Sequence, residues 1–347
     1  MNPVVVEVLR GEAVESRHRG ALVVVDAQGR TLVALGEVER PVFPRSAAKV
    51  FQALPLVASG AAERLGLDDE ELALACASHN GEAAHVRVAG RMLAKAGLDV
   101  DALECGAHWP ALESAAHALA ASQQVPSALH NNCSGKHAGF ACLACALHDG
   151  PDRRGYFRGY VQPEHPLMRE VDAALHAATG CDLATAPRGI DGCSIPTYAL
   201  PLPALALAYA RLGTGLGLSA GHARAAARLR AAVAAAPFMV GGSGRFDTLL
   251  MQRLGARVFC KVGAEGVYGV ALPEQGLGIA VKIDDGSSSR AAEVVVAAAI
   301  QALLPLDDAL TTFVHGLSEP VLRNWNGREV GALRPSTGLR ELLGPRR

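Results

Sequence analysis

Residues 257–284 read RVFCKVGAEGVYGVALPEQGLGIAVKID. Three short apolar runs, at about 257–262, 266–273 and 277–284, are separated by glycine-containing turns, the pattern of successive antiparallel strands. The other end of the chain has the same texture: Val4–Leu9, Val14–Arg19, Ala21–Asp26 and Thr31–Leu35 alternate or run apolar, and Gln28-Gly29 marks a turn. Between these ends the period becomes helical. A helix is expected from about Ser46, and a longer helical region fills roughly 68–235, with loops at 78–82, 105–110, 126–134, 149–165 and 188–197. Asp285-Gly286-Ser287 then precedes an apolar helix over about 289–304. Strands at both ends with helices between predict an α/β (α+β) fold. It is an α/β/α sandwich whose central antiparallel sheet joins N- and C-terminal strands (about 3–36 and 257–284), with a helical insertion (about 46–235). The reading treats 1–347 as a single domain and assigns nothing after about 317, where no periodicity is visible.

The chain has 347 residues, half of them hydrophobic, and a formal net charge of −1. That is enough for a large buried core, and the hydrophobic content excludes wholesale disorder. Near-neutrality leaves no electrostatic footprint for nucleic acid or an anionic membrane surface. The N-terminus lacks a basic signal region and no apolar run is long enough for a span, so a soluble, cytoplasmic protein is expected. Eight cysteines should then be reduced, and Cys142 and Cys145, inside an apolar helical run, read as core packing.

Of the 33 basic residues only five are lysines: Lys49, Lys95, Lys136, Lys261 and Lys282. Lys95 reads as an exposed helix residue and Lys282 as a strand residue with no motif of its own. Lys49 closes Ser46-Ala47-Ala48-Lys49 at a helix start, where the two side chains share a face one turn apart. A serine hydroxyl needs an adjacent base, and a buried lysine, unlike an arginine, can be brought to neutrality. Ser78-His79-Asn80 is an S-x-N, and Lys261-Val262-Gly263 is a K-x-G on an expected strand. S-x-x-K, S-x-N and K-x-G in this order form the signature set of penicillin-binding, serine-reactive hydrolases, an order expected by chance in under about one chain in a hundred. Ser78 lies only 32 residues after Ser46, closer than β-lactamases place the second motif.

Lys136 sits in Asn131-Asn132-Cys133-Ser134-Gly135-Lys136-His137, a polar cluster opening an apolar helix. Cys133 suits a thiolate nucleophile, or a metal site together with Asp191-Gly192-Cys193 on a later loop. Elementary coordination chemistry favours His137 as the third ligand of such a site, and the cluster also reads as a helix cap.

Taken with Arg45, with Gly81-Glu82 and His85, and with Cys260-Lys261-Val262-Gly263-Ala264-Glu265-Gly266, these blocks resemble the rhizobial-type (class 3) L-asparaginases from about residue 3 to about 305. His18-Arg19-Gly20 and Asp285-Gly286-Ser287-Ser288 match as well. The resemblance implies hydrolysis of L-asparagine to L-aspartate and ammonia in one catalytic domain. It implies a fold like that of serine β-lactamases and serine-dependent glutaminases, two Ser–Lys pairs (Ser46 with Lys49, Ser78 with Lys261), a homodimer, and a zinc ion near the catalytic serine. Its zinc ligands fall on Cys133, Lys136 and Cys193, which replaces His137 by a neutral lysine.

On this reading Ser46 attacks the side-chain amide with Lys49 as general base, and Ser78 and Lys261 relay protons. Arg45, Asn80 and Asp191 are the substrate-binding candidates, with Arg45 suited to the α-carboxylate and Asp191 to the α-amine. Three alternatives stay open: a serine-dependent glutaminase or β-lactam hydrolase, a zinc-hydroxide amidohydrolase, and a non-enzymatic amino-acid-binding protein.

Overall fold

The computed structural model describes residues 1–344. In chain order the strands are β1 (Val4–Arg10), β2 (Ala13–Asp26), β3 (Thr31–Leu35), β4 (Arg188–Ile190) and β5 (Pro196–Tyr198). They continue with β6 (Phe259–Val262), β7 (Val267–Leu272), β8 (Leu277–Ile283), β9 (Val321–Arg323) and β10 (Glu329–Pro335). The chain divides into two compact units: residues 1–47, 199–214 and 257–347 make the first, and residues 48–198 and 215–256 the second.

The first unit holds an antiparallel sheet in the order β6-β7-β8-β2-β1-β10-β9, with β3 also paired to β2. The sandwich expected from the sequence is present. Leu22, Val23, Val24 and Val25 are consecutive on β2 and each is at most 1% exposed, so both faces of the sheet are covered there. Burying each such side chain contributes about 1.5–3 kcal/mol. One face packs the Leu202–Thr214 helix against β2, β7 and β8, while Glu293–Leu303 packs on β1, β7 and β10.

Two expectations change here. Val14–Arg19 and Ala21–Asp26 are one strand of 14 residues, β2. Its first half pairs with β1 and its second with β8, and Gly20 sits where the partner changes. A Cβ at Gly20 would lie 2.5 Å from the Lys282 carbonyl, so the glycine admits the new neighbour and does not end the strand. The unassigned stretch after 317 contains β9, β10 and the Thr337–Leu343 helix, and β10 pairs with β1. Its weak signal follows from its setting, because β9 and most of β10 are only partly buried and need no apolar alternation.

Gly278 on β8 is the tightest approach between sheet and helix. A Cβ there would stand 1.8 Å from the Ala206 carbonyl and 2.5 Å from the Ala210 amide, both backbone atoms of the covering helix. Gly278→Ala is therefore expected to destabilise the protein by about 3 kcal/mol or more. Denaturant unfolding measures this, and a loss below about 1 kcal/mol would contradict so close a contact.

The second unit is helical, apart from the β4–β5 hairpin. Its centre is the Ser134–Leu147 helix, buried at every residue from Ser134 to Cys145 and so apolar around its whole circumference. Cys142 and Cys145 lie in that packing as free thiols, as the sequence suggested, and burial pushes both thiols up. Lys95 departs from its reading: its ammonium donates to the fully buried carboxylate of Glu71 at 2.7 Å and to the Gly66 carbonyl. Among the described residues no helix is long and apolar enough to cross a membrane.

Candidate active site

In the second unit the site grows from the N-terminal end of the Ser134–Leu147 helix. Lys136, 2% exposed, donates from Nζ to Cys193 Sγ at 2.9 Å. Cys193 is presented by the β4–β5 turn, which is closed by Asp191 N to the Ile195 carbonyl (2.8 Å) and Gly192 N to Asp191 Oδ1 (2.7 Å). Cys133, the residue before the helix, hydrogen-bonds Cys193. The bonded Cys193 holds the Cys133 thiol well below the ordinary range; burial opposes this, and the ammonium groups of Lys49 and Lys136 assist. The same bond, with burial, pushes Cys193 up. Burial depresses Lys136, but the neighbouring Cys193 and Cys133 outweigh it and keep the amine above its usual value. Asp191 adds negative potential at Lys136.

Lys49 lies at the start of the Lys49–Gln52 helix and is 1% exposed. Its Nζ donates to the Ala77 carbonyl (2.5 Å) and to Ser78 Oγ (2.8 Å), and it reaches the Cys133 sulfur as well. One amine thus joins the serine of the S-x-N motif to the cysteine cluster. The sequence reading paired Lys49 with Ser46 and did not see this contact, which spans 29 residues of chain.

The 78–80 segment is pinned on both sides. Ser78 N donates to the Val240 carbonyl (3.0 Å), Asn80 N to Gly241 (2.9 Å) and His79 N to Asn132 (3.2 Å). His79 is fully buried; its Nδ1 accepts from Gly81 N at 3.0 Å, so Nε2 carries the proton and donates to Ser134 Oγ at 2.9 Å. Burial foremost, then His85 stacked at 4.6 Å, keeps His79 neutral. His79 therefore fastens the Ser78 strand to the turn carrying Cys133 and Lys136, a role its bare presence in a motif did not reveal. The Asn80 amide donates to the Ser243 carbonyl (3.0 Å) and accepts from Arg245 (3.3 Å), holding the 243–245 loop.

His137, favoured as a ligand by coordination chemistry alone, lies elsewhere on the helix. Its Nδ1 meets the Tyr160 hydroxyl at 2.5 Å, and that hydroxyl accepts from Glu104 N. One residue further along turns a side chain by about 100°, which separates it from Lys136. Among the described residues no three histidine, cysteine or carboxylate side chains cluster as a metal centre. The grouping present is two thiols with the Lys136 amine.

The remaining candidates belong to the first unit. Ser46 lies in a 3₁₀ turn, Arg45–Ala48, and not in the α-helix expected there. Arg45 enters the turn at φ +50, and Ala47 N donates to the Pro44 carbonyl at 3.0 Å. Lys261 is fully buried on β6 and donates to the Val262 carbonyl at 2.9 Å. Opposite Lys261 on β7 is Gly269, whose missing side chain makes room for Tyr209. The Tyr209 hydroxyl donates to the Ala47 carbonyl at 2.6 Å. Tyr209 thus supports the Ser46 turn from the face that carries Lys261, and nothing in its alanine- and leucine-rich helix signals this.

The family described as L-asparaginase II matches residues 6–335. The chain belongs to that family. No curated protein matches the sequence. Membership brings the reaction class, hydrolysis of an amide, to a chain in which buried amines, hydroxyls and thiols have just been located.

Proposed function

We propose that this member of the family is an L-asparaginase that hydrolyses L-asparagine to L-aspartate and ammonia through a Ser–Lys mechanism. The observation that carries the proposal is the buried Lys49 amine on Ser78 Oγ at 2.8 Å, three residues beyond Ser46 in the chain. Lys49, once neutral, accepts the Ser46 hydroxyl proton as the oxygen attacks the side-chain amide carbon. The proton passes through Ser78 to the amide nitrogen, the C–N bond breaks and ammonia leaves. Water then attacks the resulting β-aspartyl ester with Lys49 again as base, returning a proton to Ser46 and releasing aspartate. Lys261 serves Ser78 in this relay. Arg45 and Asp191 suit the substrate α-carboxylate and α-amine, and Asn80 contributes through the 243–245 loop it holds. The likeness to serine β-lactamases and glutaminases, a homodimer and a cytoplasmic location come with the resemblance as parts of the same proposal.

Cys133, Lys136 and Cys193 fit zinc by their chemistry: two thiols and an amine, buried and joined through Cys193, with one thiol depressed. When bound, the metal would supply Lewis acidity and tie the 131–137 turn to the 191–193 turn. The turn that carries Cys133 and Lys136 also holds the segment bearing Ser78, through His79 on Asn132 and Ser134.

Ammonia release from asparagine and from glutamine, beside the absorbance change of a chromogenic β-lactam, tests the activity. Asparagine is expected to turn over fastest; no release from it, or faster release from glutamine, would reject the proposal. Mass spectrometry of a trapped intermediate should place the adduct on Ser46, and an adduct on Ser78 alone would exchange the two serines' roles.

A further inference from the structure

The first unit contains a cavity of about 690 Å³ whose wall shares Arg45 with the reaction described above and includes none of its other residues. Its size is that of a small-molecule site, for which about 300–1,000 Å³ is usual. Val42, Phe43, Leu202 and Val267 give it an apolar floor, and Phe43 is 39% exposed there.

The charges around the floor are of both signs. Lys282, a lysine that no motif absorbed, lies half-buried on β8 and lines the cavity. Its ammonium donates to the main-chain carbonyl of Glu265, and among the described residues it has no carboxylate within ion-pair distance. Burial, with Arg40 nearby, lowers its pKa against the opposing attraction of Glu265, Asp284 and Asp285. Arg40 also lines the cavity, and its recorded carboxylate, Glu37, stands 3.9 Å away and is itself held by the Met1 ammonium at 2.9 Å. On the acidic side, Asp284 is occupied by the Asn2 amide at 2.7 Å, whereas Glu265 is exposed. Glu265 is held at φ +56 and Gly266 at φ +69 by the tight β6–β7 turn, closed by Val267 N on the Ala264 carbonyl, which fixes where the Glu265 side chain starts.

We propose that this cavity binds a free α-amino acid, with its carboxylate on Lys282 and Arg40, its ammonium on Glu265 and its side chain over the apolar floor. An unpaired amine beside an unpaired carboxylate complements a zwitterion; a simple anion would leave Glu265 unsatisfied and a simple cation would leave Lys282 so. Arg45 forms part of the wall and opens the Arg45–Ala48 turn, so an occupant touches the segment that carries Ser46. The site therefore gives the amino acid produced or consumed by the enzyme a second place to bind and a route to change its rate.

Calorimetric titration of the whole protein with L-aspartate, which is not turned over, tests this. Two molecules per chain are expected for the wild type, one for Lys282→Ala, and two again for Lys282→Arg. Asparagine hydrolysis without added aspartate should be unchanged by Lys282→Ala. Equal numbers of sites in the wild type and Lys282→Ala, up to about 10 mM aspartate, overturn the proposal. Should Lys282→Ala fail to fold by thermal unfolding, Arg40→Ala takes its place, with the second site weakened at least about tenfold. If the asparaginase reading fails, the wild type is expected to bind one molecule and Lys282→Ala none, so the loss of one site on substitution tests this proposal separately from that reading.

Discussion

Replacing Lys49 by methionine is expected to lower ammonia release by about 10²–10⁴-fold, the usual contribution of a positioned general base. The chain should remain folded. Methionine has nearly the volume of the lysine stem, and it removes a buried amine whose transfer from water is costly, so stability should hold or rise slightly. What disappears is specific: the donor to Ala77 and Ser78, and the positive charge beside Cys133. Lys49→Arg should fail as well, because a guanidinium cannot accept a proton at any working pH. Kinetics beside a thermal unfolding scan separates the two effects. Activity above about a tenth of wild type in either variant, with an intact melting transition, would remove Lys49 from the proton path.

The second large effect concerns the thiol–amine cluster. Lys136→Arg is expected to weaken zinc binding by at least about 10–100-fold, since changing even a residue that only orients a ligand costs that much. The guanidinium keeps the charge but has no lone pair to offer a metal. Wild-type binding should strengthen as pH rises. Cys193, Cys133 and the amine must shed protons to become ligands, and Lys136 is held above its usual value by the two sulfurs beside it. Competition with a chelator at several pH values measures both effects. Lys136→Arg protein that holds zinc as tightly as wild type would refute the ligand set. If chelation weakens substrate binding but spares the maximal rate, the metal organises the site and does not take part in the chemistry.

Local pattern was a good guide where burial is regular. The β6, β7 and β8 runs were legible because β6 and β7 are buried along their whole length and β8 everywhere but Lys282, so apolar residues cluster and turns stand out. Gly20 misled in β2, because a glycine that admits a new partner strand looks in sequence like one that ends a strand. β10 was invisible although it pairs directly with β1, since its partly exposed residues carry no alternation. Lys95 shows the same limit in a side chain: its helix position reads as exposed, yet its partner is the buried Glu71, 24 residues earlier.

The sequence by itself picked out the residues proposed here to carry the chemistry. In a chain that uses arginine almost everywhere, Lys49, Lys136 and Lys261 stand in motifs where only an amine that can lose its proton will serve, and the S-x-x-K spacing is a property of the local backbone. Partnership was decided by tertiary structure. Lys49 on Ser78, Lys136 on Cys193 and His79 on Ser134 join residues 29, 57 and 55 apart in the chain. Each pair depends on how helices and turns pack in the second unit. Periodicity reports the environment of one residue along its own element; which two buried groups meet is set by the packing of elements distant in sequence, and that leaves no periodic trace.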